Sequence, residues 1–138
     1  GMDNPVNILN EQEALERLQS VSLGRVVVRR SDEMDIFPVN FIVDKGAIYI
    51  RTAEGNKLFS MNLNHDVLFE ADEVKDGKAW SVVVRATAEI VRKLDEIAYA
   101  DTLELKPWIP TLKYNYVRIV PNEITGREFT LGEEPERY

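Results

Sequence analysis

Short apolar runs, each closed by a turn signal, recur along this chain and constrain its fold more than any other feature. Residues 24–30 and 35–43 are rich in Val, Ile and Phe, with the polar Ser31-Asp32-Glu33 between them, which reads as a hairpin. Asp44-Lys45-Gly46 is a second turn, leading into a strand over 47–52. A strand over 66–74 ends at Lys75-Asp76-Gly77-Lys78, a strong hairpin turn, and a long strand over 79–92 returns. Tyr114–Val120 reads as a strand, Pro121-Asn122 interrupts it, and Ile124–Thr130 resumes. Pro38 sits inside a strand-like run, which places it at an edge or a bulge, where no ladder N–H is needed. Six or seven strands joined mostly by hairpins predict a mainly β chain folded as an antiparallel barrel with short flanking helices. A doubly wound sheet would need regular strand–helix alternation and an early glycine-rich turn, and neither is present.

The helices fall in the interruptions. Asn10 can cap a helix, with Glu13 three residues on to reach back to the cap N–H. Ala14, Leu15, Leu18 and Val21 then share one face, and Gly24 breaks the pattern. A short helix is expected over 55–63, with Leu58, Phe59 and Met61–Leu63 as its apolar contacts. An amphipathic stretch from Asp95 to about Leu105 predicts another, and Lys106-Pro107-Trp108-Ile109-Pro110 reads as a loop. At 138 residues the chain is expected to form one domain over 2–131, with a polar tail over 132–138. Gly1 before Met2 reads as an expression scar.

Charge and residue usage exclude several functions. A net charge of −7 argues against general nucleic-acid or anionic-membrane binding, which need a basic face. With no cysteine, disulfides, iron–sulfur clusters and thiol catalysis drop out together. The single histidine, His65, leaves a structural zinc site without ligands, so no metal is expected. No apolar run approaches the ~20 residues that span a bilayer, and no signal-peptide pattern opens the chain, so a soluble, cytoplasmic protein is the expectation.

Candidate chemistry concentrates in Ile48-Tyr49-Ile50-Arg51-Thr52-Ala53-Glu54-Gly55-Asn56-Lys57-Leu58. Arg51 offers a bidentate fork, Thr52 a hydroxyl and Lys57 a point charge, beside the free N–H groups of an expected helix start. Such a junction suits a phosphate group. It also suits a plain strand end with a Thr cap and a solvated Lys.

Together with Phe37-Pro38-Val39-Asn40-Phe41, Trp80-Ser81-Val82-Val83-Val84-Arg85-Ala86 and Ile124-Thr125-Gly126-Arg127, this run resembles the FMN-binding split-barrel flavoproteins related to pyridoxamine 5′-phosphate oxidase. The likeness extends from about Glu11 to about Phe129, in the short branch of that superfamily. It implies a six- or seven-stranded antiparallel split β-barrel and a homodimer with FMN in a groove between two barrels. Arg51, Thr52 and Lys57 would hold the phosphate, and Phe37, Pro38, Val39 and Asn40 would run along the flavin ring. Trp80 and Ser81 would sit near the phosphate or ribityl chain, with Trp108 and Arg127 arriving from the partner subunit. Read without the resemblance, Pro38 and Asn40 mark a bulge, Trp80 and Trp108 are packing aromatics, and Arg127 pairs with a surface carboxylate.

No Ser–His–Asp set, paired-carboxylate motif or metal cluster can be assembled from these residues. That suits a flavin oxidoreductase acting by hydride transfer on a small organic substrate, because the cofactor carries the electron chemistry. It suits equally a non-catalytic flavin-binding or storage protein, or a relative using deazaflavin. Haem is disfavoured, with His65 the sole imidazole. The final Gly-Glu-Glu-Pro-Glu-Arg-Tyr offers a poor substrate-phosphate site, which argues against vitamin B6 oxidation itself.

Overall fold

The computed structural model describes residues 6–53, 65–106 and 113–132. Seven strands and two helices occur among them: β1 (Val6–Leu9), α1 (Glu11–Gln19), β2 (Leu23–Arg30), β3 (Glu33–Asp44), β4 (Ala47–Ala53), β5 (His65–Lys75), β6 (Lys78–Ile90), α2 (Leu94–Asp101) and β7 (Tyr114–Thr130). The expected helix over 55–63, Lys57, Trp108 and most of the acidic tail lie outside the described residues.

The sheet runs β1-β7-β4-β3-β2-β5-β6, and β6 pairs back onto β7, so the strands close into an antiparallel split barrel. The two hairpin turns read from sequence have the expected backbone. Lys45 and Gly46 stand at φ 50° and 78°, and Asp76 and Gly77 at 52° and 75°. Paired positive φ values give a turn whose twist matches the flanking strands.

β7 is the longest strand and joins the barrel to its extension. Tyr114–Ile119 pair with β4 on one side, Gly126–Phe129 pair with β1 on that same side, and β6 follows the other side from Val117 to Thr130. Arg85 faces Glu123 while Ala86 faces Pro121, so Asn122 is the extra residue of a bulge. The interruption expected at Pro121-Asn122 is therefore a bend within one continuous strand.

Alternation sorts the side chains into two cores. Val26, Val28, Ile48, Ile50, Phe69, Val82, Val84 and Ile119 fill the barrel interior. Tyr49, Tyr116, Val91, Ala100 and Leu105 form a second cluster where α2 lies on the outer face of β4 and β7. The first helix covers part of the barrel, with Ala14 and Leu18 fully buried. Asn10 accepts from the Glu13 N–H at 2.8 Å and donates its own N–H to the Glu13 carboxylate at 2.9 Å, the reciprocal cap expected. The second helix stops at Asp101, short of the expected Leu105. No helix among the described residues is long and apolar enough to cross a membrane.

Candidate functional site

The barrel opens between β3 and β4. Their ladder ends at the pair Phe41–Ile50, although both strands continue beyond it. Extending that register would set Asn40 opposite Arg51 and Val39 opposite Thr52. β3 stays paired to β2 over this stretch, Arg25 facing Pro38 and Leu23 facing Asn40. β4 stays paired to β7, Arg51 facing Tyr116 and Ala53 facing Tyr114. The backbone groups directed into the opening thus lie outside any ladder among the described residues. The Phe41 N–H donates to Ser22 O at 3.0 Å, so by alternation Asn40 and Pro38 turn their peptide groups away from β2. Pro38 sits on an edge, as its missing N–H requires.

Side chains at this opening fall on two lips. Ile48, Ile50 and Thr52 point inward, whereas Tyr49 and Arg51 point outward, because consecutive strand residues alternate. Val39 is buried on the inner lip and packs in the barrel core. Phe37 is half-buried against the same core, and Pro38 and Asn40 lie on the outer lip. Asn40 Nδ2 donates to Lys106 O at 3.0 Å, which ties the segment after α2 to the opening.

Two polar atoms here have no partner: Arg51 Nε and Thr52 Oγ1 are both buried without a hydrogen bond. Leaving such a group unpaired costs about 1–3 kcal/mol, and Thr52 is only 5% exposed. Arg51 is nevertheless held, with its Cζ 3.5 Å from the centre of the Tyr114 ring. A guanidinium stacked by its face keeps its donors free in the plane. Tyr116 OH donates to Asp101 Oδ1 at 2.6 Å, and Tyr114 OH to the same oxygen at 3.4 Å. Burial, then the bond to Asp101, raises the Tyr116 phenol above its ordinary pKa, so it remains a donor. An unpaired hydroxyl and an unpaired guanidinium N–H bordering one opening suit an oxyanion.

The other expected residues lie apart from this opening within one chain. Trp80 points into the barrel core, 6% exposed, as a packing aromatic. Ser81 and Arg127 are cross-strand neighbours on the outer surface, Ser81 half-buried and Arg127 exposed. Asn40 and Ser81 are three strands apart, about 14 Å at the usual strand spacing. Tyr114, Tyr116 and Asp101 were not anticipated. Two tyrosines two residues apart were visible, but only strand register puts them beside Arg51.

Beside the outer lip, Arg25 meets Glu70 at 3.5 Å and Asp72 at 3.1 Å. Burial, followed by the hydrogen bond with Asp72, pushes the Glu70 pKa up to about 7. The same hydrogen bond holds Asp72 below its usual value.

The family profile described as pyridoxamine 5′-phosphate oxidase matches residues 10–128. The chain belongs to that family. A candidate pyridoxamine 5′-phosphate oxidase of Corynebacterium glutamicum, solved as a crystal structure, is 94% identical with a TM-score of 0.88, over 96% of this chain and 100% of that one. The FAD-binding protein of Mycobacterium smegmatis is 44% identical with a TM-score of 0.81, over 91% of this chain and 100% of that one. An uncharacterised protein of Mycobacterium tuberculosis is 42% identical over 96 residues, 70% of this chain and 87% of that one.

Proposed function

We propose that this chain is a flavin-binding protein and that the opening between β3 and β4 holds the flavin. The observation that carries the reading is the pair of buried, unpartnered atoms, Arg51 Nε and Thr52 Oγ1, at one end of that opening. A phosphate group at that end, with different oxygens turned to the two lips, would satisfy both. The unladdered peptide groups of Pro38 and Asn40 match the polar edge of an isoalloxazine, which carries alternating donors and acceptors. Lys57 would add its charge to the phosphate. The M. smegmatis relative, described as FAD-binding, supports the ligand class.

Our reading is FMN, held by a cytoplasmic homodimer whose partner subunit supplies Trp108 and Arg127, with Ser81 near the ribityl chain. FAD is the second reading, favoured by the same relative; its ribityl phosphate would occupy the same donors. Bound flavin would supply two-electron chemistry, and we take the protein to be an oxidoreductase transferring hydride to or from a small organic molecule. Within the chain, β3 would orient the ring and Arg51 and Thr52 would fix the phosphate.

An absorption spectrum of the fresh protein, with mass analysis of the ligand released by acid, tests the proposal. A flavin band with the mass of FMN is the expected result, and the mass of FAD would decide for the second reading. A colourless protein that takes up neither on titration would overturn both. FMN should also bind at least tenfold tighter than riboflavin, since charge-assisted hydrogen bonds contribute roughly 1.5–3 kcal/mol each. Equal affinities in a calorimetric titration would remove the phosphate from the site.

A further inference from the structure

We propose that Tyr114, anchored through Asp101 at the end of α2, is a positioning residue that presets Arg51 for the ligand's phosphate. The inference rests on the reading of Arg51 as a phosphate donor and adds what makes that donor selective. An arginine side chain has many rotamers, and fixing it only when the ligand arrives weakens binding. Here the guanidinium is already stacked, 3.5 Å from the Tyr114 ring centre, while its Nε remains unpaired. Stacking uses the face of the guanidinium and spares the in-plane N–H groups.

The ring is itself held from two directions. It packs edge-to-face on Tyr116, with centroids 5.6 Å apart at 77°, and both phenols converge on Asp101 Oδ1. Asp101 closes α2, and that helix is pinned to the barrel by three further contacts. Ala100 is fully buried in the second cluster. Tyr99 OH donates to Asp44 at 2.8 Å. Glu96 lies 3.6 Å from Arg118, which also bonds Glu89 at 2.6 Å. The placement of α2 therefore reaches Arg51 through Asp101 and one aromatic ring. Tyr114 meets the opening at Arg51, the residue read as the phosphate donor, so its stacking acts on the phosphate end of a ligand.

A double-mutant cycle read with two probes tests this. FMN and riboflavin affinities would be measured by flavin fluorescence for wild type, Tyr114→Leu, Arg51→Ala and the double variant, with apoprotein melting recorded for each. Tyr114→Leu should weaken FMN binding about tenfold and leave riboflavin within about twofold. It should add no further loss once Arg51 is alanine. Tyr114→Phe, which keeps the ring, should stay within about threefold of wild type. Equal losses for FMN and riboflavin, or the same loss in both Arg51 backgrounds, would overturn the positioning role while leaving Arg51 as a phosphate donor. Wild-type FMN affinity in Arg51→Ala would instead remove the phosphate reading, and this proposal with it. Should Tyr114→Leu fail to fold, Asp101→Ala decides: an FMN-selective loss of about threefold supports the anchor, and no loss overturns it.

Discussion

Gly24 stands where a side chain has no room. A Cβ there would lie 2.5 Å from Phe69 Cζ and 3.0 Å from the Glu70 carbonyl oxygen. Phe69 cannot retreat, because it is fully buried and packs edge-to-face on Phe41 at 4.8 Å. Gly24→Ala should therefore destabilise the fold by about 1–3 kcal/mol, the usual cost of overpacking a core. Urea denaturation would show a lower midpoint with an unchanged slope. In the sequence this glycine looked only like a helix breaker, since its true constraint comes from a strand some 45 residues on. Arg51 and Thr52 were legible because their chemistry is unusual where it stands, whereas Tyr114 gains its meaning from a cross-strand contact.

Glu70 gives a residue-scale pH effect with a definite sign. Its folded pKa of about 7 lies above the ordinary 4.5, so the folded state holds an extra proton between those values. The stability this contributes is complete below about 4.5 and is lost as pH rises through about 7. Asp72 has the opposite sign: its depressed pKa contributes stability that is lost only as the solution turns acid. Thermal melts from pH 5 to 8 should fall more steeply for wild type than for Glu70→Gln, which carries no titrating proton. Identical slopes would mean that Glu70 titrates normally.

At the scale of elements, local signals read true and long-range ones did not. The cap at Asn10 was legible because both halves of its bond pair lie within four residues. Asn10→Ala should cost about 1 kcal/mol, seen as a lower melting temperature without loss of ligand binding; an unchanged melt would show the cap to be redundant with the packing of Ala14 and Leu18. The hairpin turns were legible for the same reason, as Lys45-Gly46 and Asp76-Gly77 impose their own backbone. The four residues of β1 carry no such mark. They form a strand only because β7 runs past β4 and offers them an edge at Gly126–Phe129. Pro121-Asn122 looked like a break because a bulge and a strand end use the same residues, and only the unbroken pairing with β6 separates them.

For the whole molecule the telling feature is what the outer face leaves exposed. Val27 faces Ile36 across one ladder and Leu68 across the next, so three apolar side chains lie abreast on β3, β2 and β5, outside the barrel. Ile36 is 65% exposed, and Met34 beside it 61%. A hollow of about 610 Å³ runs over Val27, Met34 and Leu68. The apolar runs over 24–30 and 35–43 resolve accordingly, one parity filling the barrel and the other, at Val27 and Ile36, turned outward. An antiparallel sheet with a wet outer face would carry polar residues there. The homodimer we propose covers this row with a second copy about a two-fold axis, on an interface of the order of 2,000 Å². Sedimentation at micromolar concentration should find twice the 15.8 kDa of one chain. Ile36→Glu and Leu68→Glu should shift the protein toward monomer while it stays folded, since neither side chain enters the core. A dimer indifferent to both substitutions would place the interface on another face. A wild-type monomer that keeps its flavin would leave Trp108 and Arg127 with no partner site to complete.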